Sequence, residues 1–176
     1  AMRGKEWVEH DNPYDVGMTG LLGFSSGYRA MMAAETLLVL GSDLPYQQFY
    51  PDATVIQVDI RGDRIGRRTP VEVPLVGGVG ETIRALLPRL RTHTGRKHLD
   101  GATKHYAKTR RTLDDLATPS KRTIHPQYLT RLIDEAADDD AVFLPDVGSP
   151  VIWAARYLTM NGRRRIVGSF THGSMA

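Results

Sequence analysis

Two short, almost uninterrupted apolar runs constrain this chain most: Thr36-Leu37-Leu38-Val39-Leu40, closing on Gly41, and Thr54-Val55-Ile56-Gln57-Val58-Asp59-Ile60. Runs of this length bounded by turn residues fit strands of a parallel sheet with both faces covered. A third run, Ala141-Val142-Phe143-Leu144, ends near Pro145 and Asp146, and weaker strand patterns lie at 71–76 and 165–170. Helical patterns sit between these runs. Ser25 or Ser26 can cap a helix through Tyr28, Met31 and Met32 toward Glu35. Residues 81–90 place Ile83, Leu86, Leu87 and Leu90 on one face. Residues 98–116 form a longer, more polar helix with Leu99, Tyr106, Leu113 and Leu116 as its buried side. Pro126 opens another, with Tyr128, Leu129, Leu132, Ile133 and Ala136 along one stripe. Strands alternating with helices give an α/β fold with a parallel, Rossmann-like sheet.

Composition narrows the function classes. At 176 residues with 41% hydrophobic content, the chain is long enough to bury a core, and it holds no cysteine for a disulfide or a thiolate metal site. No apolar run reaches the roughly 18 residues of a membrane span, and the first residues lack a signal-peptide pattern, so a cytoplasmic location is the default expectation. Basic clusters at Arg67-Arg68, Lys108 to Arg111 and Arg163-Arg164-Arg165 are spread out and interrupted by acids; they read as solvated surface, and no nucleic-acid partner is expected.

In open α/β sheets, ligands gather beyond the carboxyl ends of the strands, where turns and helix amino termini expose backbone N–H groups. The first strand is followed by Gly41-Ser42-Asp43-Leu44-Pro45, a turn that lets a ligand approach the backbone. The second carries Asp59, 18 residues beyond Gly41, a distance suited to an acid that meets a nucleotide ribose. No G-x-G-x-x-G string is present, and a plain turn with a strand-end cap explains the same pair. Gly17-Met18-Thr19-Gly20-Leu21-Leu22-Gly23 adds a glycine-rich loop before the serine-started helix. His93 and His98 fall in polar surroundings, His125 suits a helix cap, and Asp138-Asp139-Asp140 suits a charged helix end. No catalytic constellation or metal site assembles from these residues.

Longer strings carry a resemblance. Arg3-Gly4-Lys5-Glu6 and Asp11-Asn12-Pro13-Tyr14-Asp15-Val16-Gly17-Met18-Thr19-Gly20 resemble the middle domain of the pyruvate dehydrogenase (quinone), or pyruvate oxidase, family of thiamin-diphosphate-dependent enzymes. Ala154-Ala155-Arg156-Tyr157-Leu158, Met160-Asn161-Gly162, Gly168-Ser169-Phe170 and His172 to Ala176 resemble the start of that family's catalytic domain. The resemblance implies an incomplete middle domain over 1–101, a linker with a helix over 102–124, and the beginning of a second α/β domain over 125–176.

The resemblance also implies a function. Such enzymes decarboxylate pyruvate on thiamin diphosphate and pass electrons through FAD to a quinone, leaving acetate and carbon dioxide. By position, Met18, Thr19, Gly20, Leu21, Gly41, Ser42, Asp43, Leu44 and Pro45 would line FAD, and Asp59 would meet its adenosine end. Gly173, Ser174 and Met175 match the family's thiamin-diphosphate segment, while the magnesium ligands and the activating glutamate would lie outside this chain. A homotetramer, with peripheral membrane contact through segments not in this sequence, is implied for the full-length enzyme, and no turnover for this chain alone. Two alternatives stay open: an acetolactate synthase or decarboxylase with structural or no flavin, and a nucleotide-binding module without chemistry.

Overall fold

A computed structural model of the chain describes residues 2–168, Phe170 and Gly173. After a short helix α1 (Lys5–Val8), α2 (Ser25–Met32) leads into β1 (Thr36–Leu40), β2 (Thr54–Asp59) and β3 (Val73–Val76). These strands form one parallel sheet in the order β1-β2-β3, with Leu40 opposite Val58 and Val58 opposite Leu75. Helices α3 (Val79–Leu86), α4 (Lys97–Leu116) and α5 (Pro126–Ala136) follow. Then β4 (Val142–Phe143), α6 (Ser149–Tyr157) and β5 (Arg165–Ile166) make a small parallel β-α-β unit, with Phe143 opposite Ile166. The α/β, parallel-sheet expectation holds.

Coverage of the first sheet differs from expectation. Val55 and Val58 are fully buried, yet Leu38, Leu40, Val73 and Leu75 are exposed by 41%, 36%, 41% and 39%. The apolar face of α3 is also open at Ile83, as are Leu87 and Leu90 just beyond its end. An uninterrupted apolar strand therefore does not report two covered faces in this chain. The best-packed clusters lie elsewhere. Met2 packs with Val151, Ala154, Ala155, Leu158, Met160 and Ile166, joined by Met18 and Leu22. Phe24 packs with Leu113, Ala117 and Tyr157. The first cluster joins residues from before the first strand to α6 and β5, and the second joins Phe24 to α4 and α6, so they hold the glycine-rich loop against the second β-α-β unit.

Several local expectations are corrected by this packing. Neither Ser25 nor Ser26 caps α2; Phe24 is its N-cap residue, and the Ser25 hydroxyl instead faces His105 and Thr109. Leu116 is half exposed, and Ala117 takes the buried place at the end of α4 because the helix closes there against Tyr157. His125 precedes α5 without a side-chain capping bond, its Nδ1 buried and unpartnered. Arg164 is not solvated surface. It is 8% exposed and donates to the carboxylate of Asp134 at 2.9 Å and to the carbonyls of Ala137 and Asp138 at 2.6 and 3.1 Å. These bonds satisfy carbonyls left without intrahelical partners at the end of α5. Helix α4 begins at Lys97, one residue before its expected start, and runs unbroken to Leu116. No helix among the described residues is long and apolar enough to cross a membrane.

Candidate functional site

A cavity of about 620 Å³ opens where three segments meet. The glycine-rich loop supplies Met18, Thr19, Gly20, Leu21 and Leu22, and the turn after β1 supplies Ser42, Asp43, Leu44, Pro45 and Tyr46. The third wall is the start of α6, with Val147, Gly148, Ser149, Val151 and Ile152, and Met2 and Phe170 close the back. The volume falls within the ~300–1,000 Å³ range of small-molecule and cofactor sites.

The loop is fixed by close backbone packing. Phe24 N–H donates to Met18 O at 2.8 Å, and Gly23 N–H to Gly20 O at 2.9 Å. Gly27 of α2 faces the same carbonyl so closely that a Cβ there would stand 2.3 Å from Met18 O. A side chain at position 27 is therefore incompatible with this loop path. From the other side, Arg156 of α6 donates to Gly23 O at 3.1 Å, and its own carbonyl accepts from Arg110 of α4.

The wall after β1 is organised by charge. Asp43 accepts from Arg68 Nε at 2.8 Å and from Arg64 Nη1 at 3.2 Å. The Arg68 hydrogen bond, reinforced by the charges of Arg68, Arg67 and Arg64, holds the Asp43 carboxyl below the ordinary aspartate value against the opposing effect of burial. Buried Gln57 of β2 pins the segment bearing these arginines by accepting from Gly66 N–H at 3.0 Å. One carboxylate between two guanidiniums leaves this corner of the cavity net positive. Thr19 adds a buried hydroxyl with no hydrogen-bond partner. Buried polar groups ordinarily find partners, so an unmatched one in a cavity wall marks a place where a ligand atom can bond.

The third wall was not singled out from the sequence. Gly148, at φ +98°, turns the chain from the strand edge into α6, and the amino-terminal end of a helix favours negative charge. Gly148-Ser149-Pro150 following the third apolar run is the same strand-then-turn signal that drew attention to Gly41, applied one unit later.

Of the residues expected to meet flavin, Met18, Thr19, Gly20, Leu21, Ser42, Asp43, Leu44 and Pro45 line this one cavity. Gly41 and Asp59 do not. Gly41 donates to Val58 O at 2.8 Å with φ +58°, shaping the turn rather than facing the cavity. Asp59 Oδ1 accepts from Arg61 N–H at 2.9 Å at the end of β2. Gly173 is exposed with φ +62° and lies outside the cavity, while Ser174 and Met175 fall outside the described residues. No cluster of three or more metal-binding acids or histidines occurs among the described residues.

Residues 1–86, which contain two of the three cavity walls, match the family model for the central domain of thiamine pyrophosphate enzymes. Residues 1–86 therefore belong to the central-domain family of thiamine pyrophosphate enzymes. Relatives extend the likeness past the matched domain. An uncharacterized 42.6 kDa protein of Pseudomonas amyloderamosa is 55% identical over 127 residues, covering 72% of this chain and 32% of the relative. YdaP of Bacillus subtilis, provisionally named a thiamine pyrophosphate-containing protein, is 31% identical over 96% of this chain and 30% of its own length. The acetolactate synthase large subunit IlvB1 of Mycobacterium tuberculosis is 29% identical over 92% of this chain and 28% of its own. The chain thus spans about a third of the length of the curated relatives it matches.

Proposed function

We propose that the cavity between the 17–23 loop, the turn after β1 and the start of α6 holds FAD. The enzyme containing it would oxidatively decarboxylate pyruvate with thiamin diphosphate. The overall change would convert pyruvate, water and a quinone into acetate, carbon dioxide and the quinol. The observation that carries this reading is the convergence of two expected segments, 18–21 and 42–45, on one cavity whose polar features suit an anionic cofactor. These features are the unmatched Thr19 hydroxyl, the Asp43 carboxylate over-neutralised by Arg64 and Arg68, and the amino-terminal end of α6.

Thiamin diphosphate supplies a carbanion-stabilising centre and FAD a two-electron acceptor. The work of this chain's own residues is binding and orientation. The 17–23 loop and the 42–45 turn are braced from behind by Gly27, Arg156 and Gln57, so their backbone faces the cavity in a fixed geometry. Leu21, Leu22, Leu44, Val151 and Ile152 form apolar walls that would exclude water from a planar ring. Asp59, away from the cavity and engaged with Arg61 N–H, has no assigned ligand contact in this reading.

A second reading has specific support: relatives similar over nearly the whole chain are named acetolactate synthases. In that reading the same cavity holds a flavin that takes no electrons, and the product is acetolactate. Mixing pyruvate anaerobically with a full-length protein containing this chain separates the two. Bleaching of the flavin within the turnover time supports the oxidoreductase; acetolactate release with the flavin still oxidised supports the synthase. Absence of any flavin from the purified protein would sink the cavity assignment in both.

A further inference from the structure

On the opposite side of α2 from the glycine-rich loop, α2 and α4 enclose a second groove of about 560 Å³ that shares no lining residue with the first cavity. Lys104, Lys108 and Arg111 stand at i, i+4 and i+7 along α4, one face of the helix. Arg29 reaches in from α2. Spread along the sequence, these cations looked unrelated; the α2–α4 packing brings them together.

None of the four forms an ion pair among the described residues. On α4, Asp100 pairs with Arg96 and Asp114 with Arg110, while Asp115, four residues beyond Arg111, lies outside the groove lining. No carboxylate lines the groove. Its floor is hydroxyl and imidazole: Ser25 Oγ lies 3.1 Å from His105 Nε2 and 3.3 Å from Thr109 Oγ1. A cleft lined by one sign of charge focuses the field and raises the local concentration of the opposite ion. No Phe, Tyr or Trp lines it, so it lacks the broad rings on which the bases of single-stranded nucleic acids stack.

We propose that the α2–α4 groove binds a small, multiply charged phosphate anion of the pyrophosphate or triphosphate class, held by Arg29, Lys104, Lys108 and Arg111. The Ser25 hydroxyl would give a hydrogen bond to its oxygens, the Thr109 hydroxyl being donated to His105 O, and the guanidinium groups would pair with them in forked fashion. The site stands apart from the proposed flavin cavity and does not depend on that assignment.

The test is a calorimetric titration of the chain with inorganic tripolyphosphate, accompanied by amide NMR shifts. Saturable one-to-one binding is expected, weaker at about 150 mM salt than at low ionic strength because the cations are exposed. The amides of Gly101, Thr109 and Thr112 should shift while those of Gly20 and Leu44 stay in place. The double variant Lys104→Gln/Lys108→Gln should bind roughly tenfold or more weakly, the loss expected for two charge-assisted contacts. Both lysines are exposed, and an unchanged melting temperature would verify that the variant is folded. Unsaturable binding, equal affinity in the folded double variant, shifts centred on Gly20 and Leu44, or tighter binding of a single-stranded oligonucleotide than of tripolyphosphate would each overturn the proposal.

Discussion

The carboxylate of Glu6 accepts from Arg165 Nε at 2.9 Å and from the backbone N–H of Ile166 at 3.0 Å, joining α1 to β5 across almost the whole sequence. Glu6 is 8% exposed, and the Arg165 guanidinium also lies 5.6 Å from the Trp7 ring centroid. This clasp holds Met2 and the glycine-rich loop against the second β-α-β unit, which is what lets the cavity have a third wall.

Replacing Glu6 by Gln keeps the shape and removes the charge. Stability should fall by about 1.5–3 kcal/mol, the range for a hydrogen bond to a charged group, measured from urea unfolding midpoints. The effect depends on pH with a definite sign. The Arg165 hydrogen bond, aided by Ile166 N–H, holds the Glu6 carboxyl below its ordinary value of 4.5 despite the opposing effect of burial. Its contribution is complete above that ordinary value and is lost as pH falls through the lower folded value. Wild type and Glu6→Gln should therefore converge in stability on acidification below pH 4.5; parallel curves down to the acid limit would refute the clasp.

Thr19→Val separates ligand binding from folding. The hydroxyl has no partner within the protein, so its removal breaks no intramolecular bond, and the melting temperature should be unchanged or slightly higher. FAD affinity, read by flavin fluorescence with FMN and ADP for comparison, should drop by roughly tenfold, as for one lost hydrogen bond to a charged group. An unchanged affinity would remove Thr19 from the binding site.

Gly27→Ala tests how the loop is held. The added Cβ would stand 2.3 Å from Met18 O, so the loop must move. A destabilisation of about 1–3 kcal/mol, the usual range for overpacking, should appear together with weakened flavin binding. Loss of stability with intact binding would show that the cavity tolerates a displaced loop.

Asp134→Ala would strand the Arg164 guanidinium, whose side chain is 10% exposed in its ion pair. Removing one partner of such a buried pair costs about 3–5 kcal/mol, and chemical denaturation should show it. Asp134→Ala/Arg164→Met should recover much of that loss. A small effect in the single variant would mean that the carbonyls of Ala137 and Asp138 alone satisfy the arginine.

What the sequence determined was local. Apolar runs closed by turn residues located β1 and β2, helical spacing located α3 to α5, and the loops 17–23 and 41–45 announced themselves through glycine and proline chemistry that acts within a few residues. Long specific strings pointed to thiamin-diphosphate-dependent enzymes, whose central domain residues 1–86 match. What tertiary structure decided was every relationship between distant segments. It drew eight of the expected flavin residues into one cavity and left Gly41 and Asp59 outside it, because a strand end fixes where a chain turns but not what the turn faces. It buried Arg164 and gathered Arg29, Lys104, Lys108 and Arg111, since the environment of a charge is set by the elements that pack around it. It left Leu38 and Leu40 exposed although their run read as interior, because an apolar side chain states a preference for burial and only a packed neighbour can fulfil it.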